Sequence, residues 1–403
     1  GIIERGESSF APPLETNGYQ PLWLALITAV AFVFGHSPAA IAFEIYVLAW
    51  LFMLGFAWLS RRTFGVAFPA LLASLTFPLV MLYGLETCML PVFFMLFMKA
   101  DGWRSRGVLG SLLFLTRLDA ASVVLARDIW LFATRRKVDL KHWLIIAPVG
   151  LGYAAINQML FGTPLPVSGL AKAVGSIPGE NLVHIVLAYL RSLEWPLLFA
   201  LCLCVVRVIA GRQAPPLKYT RELAVAAIAW LFCTTYYGLA SGWSTWGWYH
   251  WSSLLLAFYL MLELVALATA LCKTAPAGPA DRRTTTAIAA LGLGGAALLY
   301  QQLMIAGVYL AGLVAQQMGS SPLPNAFGRR NLNDIAWIRE QNLPAGTTFA
   351  MGDRAGSFGF FLDGKYRMLH TEGLVADMAY YRALAADEGL QFADSMGIDY
   401  WVF

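Results

Sequence analysis

YHWSSLLLAFYLMLELVALATALC, residues 249–272, is the stretch that decides the fold. A run of this length and apolarity matches the roughly 20 residues that cross a bilayer's hydrocarbon core as an α-helix. Working outward from it, further apolar segments run 21–35, 39–59, 64–83, 86–100, 107–118, 120–134, 143–161, 194–210, 222–241 and 285–316. The whole chain is 59% hydrophobic and 13% charged, with mean hydropathy +0.62. An ordinary soluble domain is about 45–50% apolar and about 25% charged, so a soluble fold of this composition would aggregate. The expected fold class is a polytopic α-helical membrane protein of about ten to eleven apolar helices, some short, ending in a small α/β soluble domain. Residues 1–20 read as part of an external loop, 21–317 as the helical membrane domain and 318–403 as the soluble domain.

Charge orders these segments. Residues 319–403 hold 7 Lys/Arg against 10 Asp/Glu, which leaves 21 against 14 in the remainder. The basic excess clusters at Arg61-Arg62, Lys99 to Arg106, Arg135 to Lys141, Arg207 to Arg221 and Lys273 to Arg283. Short loops rich in Lys/Arg stay on the cytoplasmic side, so counting spans from residue 39 places all five on one side. The opposite side receives Gly84-Leu85-Glu86, Arg117-Leu118-Asp119, the 162–193 loop, the 242–248 loop and everything after about 317. Membrane topology explains the basic excess, and no nucleic-acid partner is expected. Segment 21–35 conflicts with this parity unless it is shallow or re-entrant, or unless Arg61-Arg62 lies on the other side. Segments 107–118 and 120–134 are too short for two full spans, Arg127-Asp128 interrupts the second, and shallow helices are expected there.

The chain opens on Gly1 with the polar, Pro-bearing GIIERGESSFAPPLETNGYQ, which reads as the start of an N-terminal fragment. Five cysteines, Cys88, Cys202, Cys204, Cys233 and Cys272, lie in or at the end of apolar stretches without CxxC spacing, so neither a disulfide framework nor a zinc site is expected. No 20–50-residue repeat argues for a solenoid. From Ser320 the pattern turns soluble. NLNDIAWIREQ reads as a helix started by its Asn and Asp, TTFAMGD as a strand and turn, YRMLHTEGL as a strand, MAYYRALAADEGLQFADSMG as helical and IDYWVF as a terminal strand. The alternation predicts a small, mostly parallel sheet. Gly356-Ser357-Phe358-Gly359 lacks the spacing of a nucleophile elbow, and GxGxxG and P-loop patterns are absent, so the chemistry is not expected in this domain.

Candidate chemistry comes from polar residues where polarity is expensive. Glu86, in YGLETCML, reads either as a functional carboxylate facing a wet cavity or as a helix-start cap. Arg117 and Asp119, in FLTRLDAAS, are two residues apart and cannot share a helical face, but they fit a helix-to-helix junction. There Arg117 suits an anionic ligand such as phosphate, through bidentate donation, or else a structural ion pair with Asp119. FGTPLPVSGLAK, 161–172, reads as an outer loop ending in the cation Lys172, or as a plain connector. In GWSTWGWYHW, 242–251, the Trp residues read as an interface belt, and His250 beside Tyr249 suits a hydrogen bond to sugar or phosphate better than a metal.

TNGYQPLW (16–23), YGLET (83–87), LTRLDA (115–120), FGTPLPVSGLAK (161–172) and WYHWSSLLLA (248–257), taken in order, resemble bacterial membrane glycosyltransferases of the GT-C class. These include relatives of the mycobacterial arabinofuranosyltransferases and the dolichyl-phosphate-mannose mannosyltransferase-like proteins. The resemblance covers most of the chain. It implies an inverting, multi-span enzyme of the bacterial inner membrane that moves a sugar from a polyprenyl-phosphate carrier to a cell-envelope glycan or lipid acceptor on the external face, with the soluble domain periplasmic. It places the acidic general base in the first external loop, upstream of Gly1. Arg117, Lys172 and His250 become candidates for the departing phosphate, and Glu86 and Asp119 for orienting them or binding a sugar hydroxyl. Asn17, Gln20 and Tyr249 join the candidate donor or substrate contacts. Metal use varies within the class, and no ligand cluster is visible in the sequence. A flippase or transporter of lipid-linked substrates draws on the same intramembrane charges, though inverted repeats are not visible. A non-catalytic envelope assembly subunit is the third reading.

Overall fold

In a computed structural model, residues 8–11, 14–136, 138–174, 181–241, 247–274, 326–352, 358, 362 and 365–402 are described. Five helical stretches are long and apolar enough to cross a membrane: Ala40–Phe64, Leu140–Phe161, Tyr189–Ala210, Thr220–Ala240 and Gly247–Lys273. The chain is therefore a polytopic helical protein whose surroundings are lipid.

Helix α1 (Pro21–Phe34) and helix α2 (Pro38–Phe64) form an antiparallel pair. Ser37 caps α2 by accepting from the Ala40 amide at 3.2 Å, Pro38 occupies the first turn, and Gly65 closes the far end in the left-handed conformation at φ 82°. Trp23 of α1 packs beside Ala49 of α2 and against Cys88 and Met89. At 1.5 Å per residue α1 is about 21 Å long, short of the roughly 30 Å hydrocarbon core. Segment 21–35 is thus too short for a full span.

The expected single segment 64–83 is split into α3 (Phe68–Thr76) and α4 (Pro78–Met81). Pro78 lacks an amide hydrogen and its ring clashes with the preceding turn, so the helix stops at Phe77. A 3₁₀ turn, Glu86–Met89, leads into α5 (Leu90–Lys99). Next come α6 (Trp103–Thr116) and α7 (Ala121–Arg135), both shorter than a span, joined by the turn Leu118–Ala120. Helix α8 is Trp143–Phe161. The expected 162–193 loop is instead largely helical. It contains α9 (Val167–Ala173), and α10 is Asn181–Ala210, with Val186, Leu187 and Leu190 presenting exposed apolar surface along it. Helices α11 (Thr220–Ala240) and α12 (Trp251–Thr274) complete the bundle. The expected segment 285–316 lies outside the described residues.

Helix α12 is the most buried of the five spans and forms the centre of the bundle. Phe258 packs on Phe56 with ring centroids 4.7 Å apart, and Tyr259 on Phe94 at 5.7 Å. Glu263, a charge within this span, is satisfied by the Lys218 and Tyr219 amides at the start of α11, where unpaired N–H groups and the helix dipole favour a carboxylate.

Four of the five basic clusters meet at one end of the bundle. Lys99 Nζ donates to Thr63 Oγ1 at 3.0 Å, Arg221 Nη2 to the Met98 carbonyl at 3.1 Å, and Arg207 Nη1 to the Pro215 carbonyl at 2.7 Å. Arg106 pairs with Asp139 at 3.6 Å. The turns at 86–89, 118–120 and 247–250 lie at the other end, since α5, α7 and α12 start from them and run toward the basic end.

Residues 326–402 form a three-stranded parallel sheet of β3 (Thr348–Met351), β4 (Arg367–His370) and β5 (Tyr400–Val402), in the order β4-β3-β5. Helix α13 (Ala326–Glu340) covers it with Ile335 and Ile338, which pack with Phe349, Met351, Phe358 and Met368. This helix opens at Ala326, so Asn331 and Asp334 lie inside it and do not start it. The expected helical region 378–397 is two helices, α14 (Met378–Ala385) and α15 (Gly389–Ser395), interrupted where Asp387 takes φ 61°. A short hairpin of β1 (Ser9–Ala11) and β2 (Leu14–Glu15) inserts Leu14 beside Ala350, Leu369 and Tyr380. The sheet unit thereby rests on the end that carries the turns, with Gly373 against Ala171 of α9 and Gly18 against the Leu374 carbonyl.

Candidate functional site

Three chain breaks bring charge together at that end. Gly84, at φ 75°, approaches α2 so closely that an added Cβ would lie 2.3 Å from Ile45 Cγ2, and Thr87 Oγ1 donates to the Val80 carbonyl at 2.7 Å. These two contacts fix the turn that carries Glu86. The α6 helix ends at Thr116, leaving Arg117 extended and Asp119 in the following turn, so their side chains escape the helical geometry that would separate them.

Arg117 and Glu86 are only 5% and 8% exposed. Arg117 donates from Nη1 to Glu86 Oε1 at 2.6 Å, from Nε to Asp119 Oδ1 at 3.0 Å and from Nη2 to the Tyr237 hydroxyl at 2.7 Å. Tyr237 in turn donates to Asp119 Oδ2, which also accepts from Trp251 Nε1 at 3.0 Å. Burial alone would push the Asp119 carboxyl up. The Arg117 charge and the bonds from Tyr237, Arg117 and Trp251 outweigh it and hold this group below the ordinary carboxylate range. One guanidinium thus neutralises two carboxylates only in part, leaving a formal charge of −1 in the trio.

Lys172 shares an aromatic neighbour with Arg117. Its Nζ lies 5.1 Å from the Tyr249 ring centroid, and Arg117 Cζ lies 5.5 Å from the same ring. Tyr249 also packs on Tyr237 at 4.6 Å. The half-buried Lys172 has no carboxylate partner among the described residues, whereas Arg117 is engaged by carboxylates on Nε and Nη1. Of the two cations, Lys172 is therefore the one available to an incoming anion. The second oxygen of Glu86 likewise makes no hydrogen bond to the described residues.

No family model, curated protein or solved structure matches this chain.

The sequence candidates sort accordingly. Glu86, Arg117, Asp119, Lys172 and Tyr249 come together, although they derive from four separate stretches of the chain. Asn17 does not face this cluster: at 1% exposed, it donates to Asn157 Oδ1 at 3.2 Å and the Leu165 carbonyl at 3.1 Å, and accepts from the Val167 amide at 2.8 Å. Its role is to clamp the loop that leads into α9, and so to set where Lys172 stands. Gln20 caps the start of α1 in extended backbone, with its Oε1 buried and unpaired among the described residues. His250 shares the turn with Tyr249, but no hydrogen bond or ion pair among the described residues joins it to the cluster. Sequence reading missed Tyr237 and Trp251. Both lie in apolar, aromatic-rich segments that read as span and interface belt, and their only signal was a polar atom on a ring that needs a partner when buried. Among the described residues, no group of three or more His, Cys, Asp or Glu is placed to hold a metal ion.

Proposed function

We propose that this protein is a membrane glycosyltransferase of the GT-C type that moves a sugar from a polyprenyl-phosphate donor to a glycan or lipid acceptor of the cell envelope. The observation that carries the reading is the Lys172 ammonium, with no carboxylate partner among the described residues, over the Tyr249 ring beside the buried Glu86–Arg117–Asp119 network. Transfer with inversion breaks the bond from the anomeric carbon to the phosphate oxygen and forms one to the acceptor oxygen. The acceptor proton passes to a carboxylate, and negative charge grows on the departing phosphate. Lys172 meets that charge, with Arg117 behind it as a fixed positive centre held rigid by its partners. The free oxygen of Glu86 accepts from a sugar hydroxyl, and Tyr249 offers its ring to the sugar's apolar face.

The basic end is cytoplasmic in this reading, because short Lys/Arg-rich loops resist translocation. The cluster and the sheet unit then face the periplasm of a bacterial inner membrane, where a lipid-linked donor presents its sugar. Transfer of radiolabelled sugar from polyprenyl-phosphate donors, by membranes containing the full-length protein, tests the reading beside Lys172→Ala and Lys172→Arg. Loss of transfer in the first with partial retention in the second is expected. Absence of transfer across a broad donor and acceptor panel, or full activity of Lys172→Ala, would overturn it.

A further inference from the structure

A second polar centre sits at the basic end, away from the cluster above. Arg127 of α7 is 8% exposed, and its Nη1 is buried with no hydrogen-bond partner among the described residues. Its nearest carboxylate oxygen, Asp128 Oδ1, is 3.7 Å away, too far for a hydrogen bond. Asp128 Oδ1 likewise makes no hydrogen bond to the described residues, while Oδ2 bonds His142 Nε2 at 3.2 Å and accepts from Trp143 Nε1 at 2.8 Å, so Arg127 and Asp128 form a loose ion pair. The guanidinium lies over the Phe97 ring at 5.7 Å. Arg221 reaches the same turn from α11 through the neighbouring Met98 carbonyl. Arg106 is tied to Asp139, whose carbonyl bonds His142 Nδ1 at 3.0 Å, so it stands behind the same His142–Asp128 pair. The acidic groups facing this region, Asp128, Asp139 and Glu222, each already have a partner.

A buried guanidinium whose carboxylate contact is too long to hydrogen-bond is costly, and Arg106 and Arg221 approaching from two neighbouring helices add like charge. A bound anion removes both costs, and the planar fork matches a phosphate. We propose that Arg127, flanked by Arg106 and Arg221 where α5, α6, α7 and α11 meet, forms a binding site for a phosphate-bearing anion at the basic end. A phospholipid headgroup and free phosphate present the same group to it. The inference is independent of the transferase reading.

The test uses the full-length protein in neutral detergent at constant ionic strength set with KCl. Thermal unfolding is followed against inorganic phosphate, against dihexanoyl phosphatidylglycerol and against an uncharged short-chain maltoside. The expected result is a saturable rise in Tm with a phosphate-bearing ligand and none with the maltoside. Stabilisation by the lipid alone assigns the headgroup, and stabilisation by both assigns a free-phosphate site. Arg127→Gln should weaken the effect by about tenfold or more, as expected for losing one charge-assisted hydrogen bond. Arg127→Lys keeps a charge opposite Asp128 and should bind the phosphate ligand more tightly than Arg127→Gln does. No Tm rise with either phosphate ligand, or equal rises in wild type and Arg127→Gln, would each overturn the proposal.

Discussion

Arg117 Nη1 and Glu86 Oε1 lie 2.6 Å apart across 31 positions of sequence, and this contact joins the 86–89 turn to the α6–α7 junction. Removing one member of a buried pair strands its partner, which costs on the order of 3–5 kcal/mol. Here loss of Arg117 strands two carboxylates, while loss of Glu86 leaves Arg117 still held by Asp119. Arg117→Met is therefore expected to lower thermal stability in detergent more than Glu86→Gln does. Adding Glu86→Gln to Arg117→Met should restore part of the loss. Equal effects of the two single changes, with simple additivity in the double, would refute the charge arrangement described above.

Asn17 tests how the loop before α9 is held. Its three hydrogen bonds reach Asn157, Leu165 and Val167, 140 to 150 positions away. Asn17→Ala leaves the Val167 amide without its hydrogen bond, at a cost of about 1–3 kcal/mol, while the Leu165 carbonyl keeps the bond from Thr163 Oγ1. Hydrogen exchange across residues 163–172 should quicken, and sugar transfer should fall through displacement of Lys172 although no cluster residue has changed. Exchange in this segment that is unaltered by the substitution would show that Asn17 does not hold it.

Gly18 and Gly84 offer a contrast between two tight contacts. A Cβ on Gly18 would meet the Leu374 carbonyl oxygen at 2.0 Å, which is backbone and cannot step aside, whereas on Gly84 the close contact is with a side-chain atom, Ile45 Cγ2 at 2.3 Å. Gly18→Ala should loosen the sheet unit from the helical body, seen as faster hydrogen exchange in residues 366–385. Gly84→Ala should destabilise through both the clash and its positive φ, and a second change, Ile45→Ala, should recover the clash portion only. If Gly18→Ala leaves exchange in the sheet unit untouched, that docking contact is absent in solution.

Sequence made the spans legible because their signal is local and large. Segments 143–161 and 222–241 match α8 and α11 closely, since predominantly apolar runs of this length leave little ambiguity. The break at Phe77-Pro78 was written in the proline but hidden by the apolar run around it. The amino-terminal part of α10 reads as loop because Asn181, His184 and Arg191 lower its hydropathy. At the site, each charge was visible singly, as a group too costly to leave in lipid without a reason. Their pairing was not visible. Glu86 meets Arg117 and Tyr237 meets Asp119 only through the packing of separate helices, and nothing local in the sequence encodes that. For the same reason Arg127 registered only as an interruption of a short helix.

Orientation is the prediction on which the external-face reading depends. Asp101 is exposed between α5 and α6 at the basic end, and Glu388 is exposed on the sheet unit at the other. Single cysteines at these positions, in a background with the exposed native Cys204 and Cys272 replaced, report sidedness through a membrane-impermeant maleimide applied to intact spheroplasts. The positive-inside bias predicts that Asp101→Cys is labelled only after lysis, while Glu388→Cys is labelled in intact cells. The reverse pattern would put the cluster on the cytoplasmic face, where Lys172 would meet soluble nucleotide-linked sugars as readily as lipid-linked ones, and the donor class proposed above would lose its rationale. Labelling of both sites before lysis would instead show that the two ends do not lie across a membrane from each other.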